Sequence, residues 1–226
     1  MCQDQKANQG SQHDAMKEHI AQNLSLFALL FGRNASDEDL SNMYEELIGL
    51  QLACLPDYAE LIPGTLEAIA ACRERRLKIG STTGYNRAML DVLLEHARRQ
   101  GFCPDCSICV DDVPAGRPHP YMALRAAIEL EAYPMEAIVK VGDTVPDIDE
   151  GRNAGMWTIA VTKTGNEIGL SEAEVAALPV GELARRLEAA RLRLSDAGAH
   201  YVVEAIGDVP PVLDQIESRL RSGERP

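Results

Sequence analysis

Val141–Met156, VGDTVPDIDEGRNAGM, is the stretch whose reading decides the fold. It follows the apolar run Ala137-Ile138-Val139. An apolar run ending in Gly-Asp reads as a buried parallel strand that delivers a carboxylate, Asp143, to its C-terminal tip. Pro146 suits the first turn of a new helix, and Asp147 falls in that same turn. Two carboxylates at a strand tip and at the following helix start converge on one hard cation such as Mg2+. Open α/β sheets hold their ligands at that edge. A plain strand–helix turn, its acidic residues favouring the helix dipole, would carry a similar pattern, so neighbouring stretches have to decide.

Outward from there the chain alternates. The pattern predicts strand 77–83 (LKIGSTT), helix Arg87–Arg99, strand 107–112 (SICVDD) and helix Pro120–Leu130. The strand IVKVGD, helix Pro146–Ala154 and strand WTIAV follow. Helices after Ser171 and Gly181, a short strand HYVVEAI and helix Val209–Arg221 complete it. Such alternation means a parallel sheet with helices on both faces. Upstream, apolar spacing predicts one helix from Asp14 to about Gly32. A second, capped by Ser36 with acidic residues in its first turn, stops at Pro56. The expected division is a disordered opening at 1–13, a small all-helical cap at 14–57 and an α/β core at 58–226.

With 226 residues, 46% of them hydrophobic, the chain has room for one such core and a smaller accessory unit. Its net charge of −13 argues against nucleic acid or an anionic membrane as partner. An anionic substrate would therefore depend on local arginines and helix N-termini. No stretch approaches a membrane span, no apolar signal core opens the chain, and the expected setting is cytoplasmic. Cys103, Cys106 and Cys109 form C-x-x-C-x-x-C. A metal or cluster site would want a fourth ligand nearby, and reduced, structural thiols are the preferred reading.

Two further strand tips carry chemistry. Ser81-Thr82-Thr83-Gly84-Tyr85 offers hydroxyls and backbone N–H groups ahead of a helix, as a phosphate cradle would, or simply as a helix cap would. Asp111–Pro118 (DDVPAGRP) holds Arg117 after Gly116 in a stiff loop, where a guanidinium can be aimed at a phosphoryl oxygen. Hydroxyls, an arginine and paired carboxylates at successive tips point to phosphoryl chemistry with Mg2+.

IGSTTGY, DDVPAGRP, KVGDTVPDIDEGRNAGMWT, TKTGNEIGLSEAE and AGAHYVVE together resemble the phosphonoacetaldehyde hydrolase (phosphonatase) branch of the haloacid dehalogenase superfamily. The resemblance covers about residues 57–220. It implies a Rossmann-like core with a helical cap, Mg2+, a small phosphonate substrate and a homodimer formed through the cap. It further implies that Thr83 holds the phosphoryl group with Ser81, Thr82, Gly84, Tyr85 and Gly116 around it, that Arg117 neutralises it, and that Asp143 and Asp147 serve the metal. His19, in Glu18-His19-Ile20, matches the family's proton-handling histidine. The implied reaction is hydrolysis of phosphonoacetaldehyde to acetaldehyde and phosphate. Cleaving a C–P bond would leave a carbanion, and a lysine Schiff base turns that leaving group into an enamine. An aspartate nucleophile then takes the phosphoryl group.

The N-terminal end departs from this pattern. The family's nucleophile follows an apolar strand as Asp-x-x-Gly-Thr, and neither Asp4 nor Asp14 has such a strand before it. The missing strand belongs in the middle of the sheet, so two edges should stay unpaired or close on one another. Met16 stands where the Schiff-base lysine belongs, and Lys17 lies one residue later, about 100° round a helix. Loss of an N-terminal segment is the expected cause, and the chain as it stands is expected to be inactive or weak. The competing expectations are a non-catalytic phosphonate-binding or dimerisation module and a general phosphatase of the same superfamily.

Overall fold

The computed structural model describes residues 32–226. The polar opening, the helix expected from Asp14, and both Lys17 and His19 lie outside the described residues. Helix α1 (Asp37–Cys54) starts as its sequence dictates: the Ser36 hydroxyl accepts from Asp39 N–H while the Asp39 carboxylate accepts from Ser36 N–H. Pro56 ends it in a single 3-10 turn, Leu55–Tyr58. Gly64, at φ 85°, then turns the chain into α2 (Thr65–Glu74), a conformation that glycine adopts without steric cost.

Among the described residues, five strands, parallel within each sheet, alternate with the remaining helices. They are β1 (Gly80–Thr83), α3 (Arg87–Arg99), β2 (Cys106–Cys109), α4 (Tyr121–Glu129), β3 (Val139–Gly142), α5 (Val145–Asn153), β4 (Trp157–Val161), α6 (Glu172–Ala177), α7 (Val180–Asp196), β5 (Tyr201–Val203) and α8 (Val209–Arg221). The register pairs Thr83 with Cys109, Gly142 with Ala160 and Val161 with Val203, so within each sheet the C-terminal tips share one edge.

Strand ends differ from the sequence reading where side chains capture backbone groups. The Ile79 N–H goes to the Asp105 carboxylate (2.7 Å) rather than to a ladder, so β1 begins only at Gly80. The Asp112 carboxylate accepts the Cys109 N–H (2.8 Å), folding Val110–Asp112 into a 3-10 turn where strand was expected. Asp208 does the same to Ala205 N–H (2.9 Å), ending β5 early.

Trp157, Ile159, Val209, Val212 and Ile216 pack β4 against α8, and Ile148, Ala160 and Leu194 pack the other face of β4 against α5 and α7. That is why WTIAV is buried along its whole length. The strands nevertheless divide into two sheets, β1-β2 and β3-β4-β5. Among the described residues no strand lies between β1 and β3, and the two edges do not pair with each other. Helices hold the halves together: Ala123 of α4 packs on Ala154 and Met156, and Arg75 beyond α2 forms a two-bond ion pair with Asp214 of α8 (3.1 and 3.0 Å). No described helix is long and apolar enough to cross a membrane.

Candidate active site

The Gly-Asp tip of β3 and the start of α5 are fused by steric necessity. A Cβ added to Gly142 would lie 2.3 Å from the Cβ of Asp147, so only glycine lets the first helical turn sit this close to the strand. Thr144 caps that turn, and Asp147 Oδ2 accepts from both the Thr144 hydroxyl (2.6 Å) and its N–H (3.3 Å). Asp147 Oδ1 is left facing Arg117 Nη1 at 3.1 Å and Lys140 Nζ at 3.5 Å. Asp143 leans on a second glycine: a Cβ at Gly165 would come within 2.6 Å of the Asp143 Cβ, and Asp143 Oδ2 accepts the Asn166 N–H at 2.8 Å.

Arg117 closes the cluster from the loop after β2. Its Nη2 donates to the Thr82 carbonyl (2.8 Å) and its Nε to Glu150 Oε2 (3.2 Å). Lys140 Nζ bridges Glu150 Oε2 and Thr82 Oγ1, each at 2.6 Å. Two cations and two carboxylates are thus gathered below the tips, with Glu150 fully buried. Burial alone would push the Asp147 carboxyl up. The Arg117 and Lys140 charges, with hydrogen bonds from Thr144 and the Asp143 backbone, reverse this and hold it below the ordinary carboxylate value.

Of the residues singled out from sequence, Arg117 and Asp147 are in contact, and Asp143 borders them at the same tip. Thr82 enters the cluster, whereas Thr83, on the opposite face of β1, accepts the Tyr85 N–H at 3.2 Å. Ser81 shares the Thr83 face and hydrogen-bonds to Ser107 across the sheet (2.7 Å), away from the ion pairs. Gly84 and Gly116 shape the two loops, and at Gly84 an added Cβ would meet nothing within 4 Å. Asp111 and Asp112 are structural: they take the backbone N–H and the guanidinium of Arg87 at the start of α3.

Three further residues belong to this neighbourhood. Lys140 was legible as a cation inside an apolar strand, and Glu150 as the i+3 neighbour of Asp147 on one helix face. Tyr44 of α1 lies near Asn86 and Asp111 at the start of α3: burial and the Asp111 charge raise its pKa. The cysteines stay apart in character, Cys103 exposed and Cys109 buried, and among the described residues no three His, Cys, Asp or Glu side chains converge as a metal-binding cluster. Asp143 and Asp147 supply two hard oxygen donors, each seated against a glycine that a Cβ would displace. A small divalent cation that keeps several waters fits such a pair.

The family profile for haloacid dehalogenase-like hydrolases matches residues 3–155. A phosphonoacetaldehyde hydrolase of Syntrophobacter fumaroxidans is 49% identical over 197 residues, covering 87% of this chain and 71% of that protein. One from Bacillus cereus is 46% identical over 190 residues, covering 84% and 72%. A crystal structure of a phosphonoacetaldehyde hydrolase-like protein from Oleispira antarctica superposes with a TM-score of 0.87 at 35% identity, covering 91% of this chain and 75% of that one.

Proposed function

This chain belongs to the haloacid dehalogenase-like hydrolases and, within them, to the phosphonoacetaldehyde hydrolase family, and from that premise we propose that its site hydrolyses the C–P bond of phosphonoacetaldehyde to acetaldehyde and phosphate, with Mg2+ held by Asp143 and Asp147. The observation that carries this reading is the 3.1 Å contact between Arg117, from the loop after β2, and Asp147, at the start of α5. In this reading a cation for the phosphoryl oxygens and a carboxylate for the metal meet between the strand tips of the two sheets, although thirty positions separate them in sequence.

In this reading Arg117 turns a terminal nitrogen from Asp147 to a phosphoryl oxygen, and the Thr83 hydroxyl with the Gly84 and Tyr85 backbone borders the same group. Bound there, Mg2+ neutralises charge on the phosphoryl oxygens. The full reaction needs a lysine amine whose iminium accepts the electrons of the breaking C–P bond; Lys17 could supply it only if its helix is shifted by one residue from the family register, and His19 matches the family's proton carrier. Met43, Leu47 and Leu50 on α1 are exposed and supply an apolar surface for pairing two copies into the expected homodimer.

Among the described residues no carboxylate follows a strand between β1 and β3, where a nucleophile would face Arg117. We therefore expect the 226-residue chain to bind phosphate in Mg2+ but to turn over weakly. The test combines phosphate and acetaldehyde release from phosphonoacetaldehyde with calorimetric titration of phosphate. Near-background turnover with measurable binding is expected. Rapid turnover that disappears in Asp143→Ala overturns the weak-activity reading and keeps the substrate. A folded protein that binds no phosphate overturns the site. Phosphate release from p-nitrophenyl phosphate alone points to a general phosphatase instead.

A further inference from the structure

Lys140 and Glu150 lie beneath the strand tips, within the motif that begins at Lys140 but with no role assigned to either from the sequence. Glu150 Oε2 is approached from three separate elements: by Lys140 Nζ of β3 at 2.6 Å, Arg117 Nε at 3.2 Å and Thr82 Oγ1 of β1 at 3.4 Å. Its other oxygen, Oε1, is buried without a hydrogen-bond partner. Gly151 makes the approach of α5 possible, because a Cβ there would come within 2.8 Å of the Lys140 Cβ and 2.6 Å of Thr158 Cγ2. A buried carboxylate with an orphaned oxygen is a costly structural element, and apolar residues of similar volume commonly do as well or better for stability. What apolar residues could not do is orient a guanidinium. An arginine on a loop has many rotamers, and a bond at Nε fixes the rotation of its plane.

We propose that Glu150 and Lys140 are a positioning pair for Arg117: Glu150 fixes the guanidinium plane through Nε, and Lys140 offsets the second carboxylate so that Arg117 is not locked onto Asp147. With Nη2 held by the Thr82 carbonyl, Nη1 is the terminal nitrogen presented to the phosphoryl group at the strand tips. This rests on the reading that Arg117 takes a phosphoryl oxygen, and the two are separable by experiment. Inorganic phosphate in Mg2+ is titrated calorimetrically into the parent, Arg117→Ala, Glu150→Gln and the double variant Lys140→Met/Glu150→Met. In parallel, the Arg117 Nε–H resonance is followed by NMR and assigned by its loss in Arg117→Ala.

Arg117→Ala is expected to weaken phosphate binding at least about tenfold. The double variant should keep a cooperative thermal transition, lose the protected Nε–H signal and bind phosphate about tenfold more weakly. Glu150→Gln, which keeps an oxygen acceptor for Nε, should retain the signal and stay within about threefold of the parent. A folded double variant with parental affinity overturns the positioning role while Arg117→Ala still supports the phosphate site. Parental affinity in Arg117→Ala overturns both. Should the double variant fail to fold, Glu150→Leu is read by the same two criteria.

Discussion

Gly142→Ala tests the close approach on which the carboxylate pair depends. The new Cβ would stand 2.3 Å from Asp147 Cβ and 2.6 Å from its Cγ, where ordinary contact begins at 3.4 Å. The obstacle is the stem of a buried side chain tied into the Thr144 capping box, so it cannot rotate aside. The first turn of α5 must instead move away by about 1 Å, and overpacking of this kind costs ~1–3 kcal/mol. Breaking the capping box adds ~1 kcal/mol, for a total of about 2–4 kcal/mol. In a chain of this length that lowers the melting temperature by roughly 5–15 °C. Differential scanning calorimetry reads the stability, and Mg2+ titration of the folded variant reads the displaced Asp147. Gly84→Ala is the control, since nothing lies within 4 Å of its added Cβ, and it should be neutral or stabilising by about 0.5 kcal/mol. A Gly142→Ala protein that melts with the parent and binds Mg2+ equally well would refute the packing of the β3 tip on α5.

Three other outcomes are expected. Lys140→Met alone leaves the buried Glu150, whose own Oε1 already lacks a partner, with only Arg117 and the Thr82 hydroxyl on its other oxygen, so urea denaturation should show a loss of up to ~3 kcal/mol, against much less in the double methionine variant; a loss below ~1 kcal/mol would mean that Arg117 alone compensates Glu150. Asp143→Asn should weaken Mg2+ binding about tenfold or more with little change in melting temperature, and equal affinity would remove Asp143 from the metal site. Burial, then the charges of Arg219 and Arg152, lowers the His200 pKa, and its Nδ1 accepts the Thr158 N–H at 3.0 Å. A depressed folded-state value contributes stability that is complete above the ordinary histidine pKa of about 6.5 and is lost as pH falls through the folded value. Urea midpoints compared at about pH 7.5 and 5.5 should therefore fall less in His200→Asn than in the parent, and an unchanged slope would contradict that assignment.

Much of the fold could be read directly. Alternating apolar runs and helical stretches specify a parallel α/β core because a strand buried on both faces must be apolar throughout, as Trp157–Val161 is. Local chemistry likewise placed the Ser36 cap, the stop at Pro56 and the start of α5 around Pro146. The strand ends were less legible, since Asp105, Asp112 and Asp208 capture backbone N–H groups through side-chain geometry that propensity does not encode.

By itself, then, the sequence determined the class of fold and the edge at which Arg117, Asp143 and Asp147 would gather, because strand periodicity and tip chemistry are local properties. Only the tertiary structure decided that the strands form two sheets, that Thr82 rather than Thr83 joins the ion pairs, and that Lys140 and Glu150 lie between Arg117 and the core. Strand pairing and the burial of a charge depend on partners distant in the chain, and no local pattern states which partner will be there.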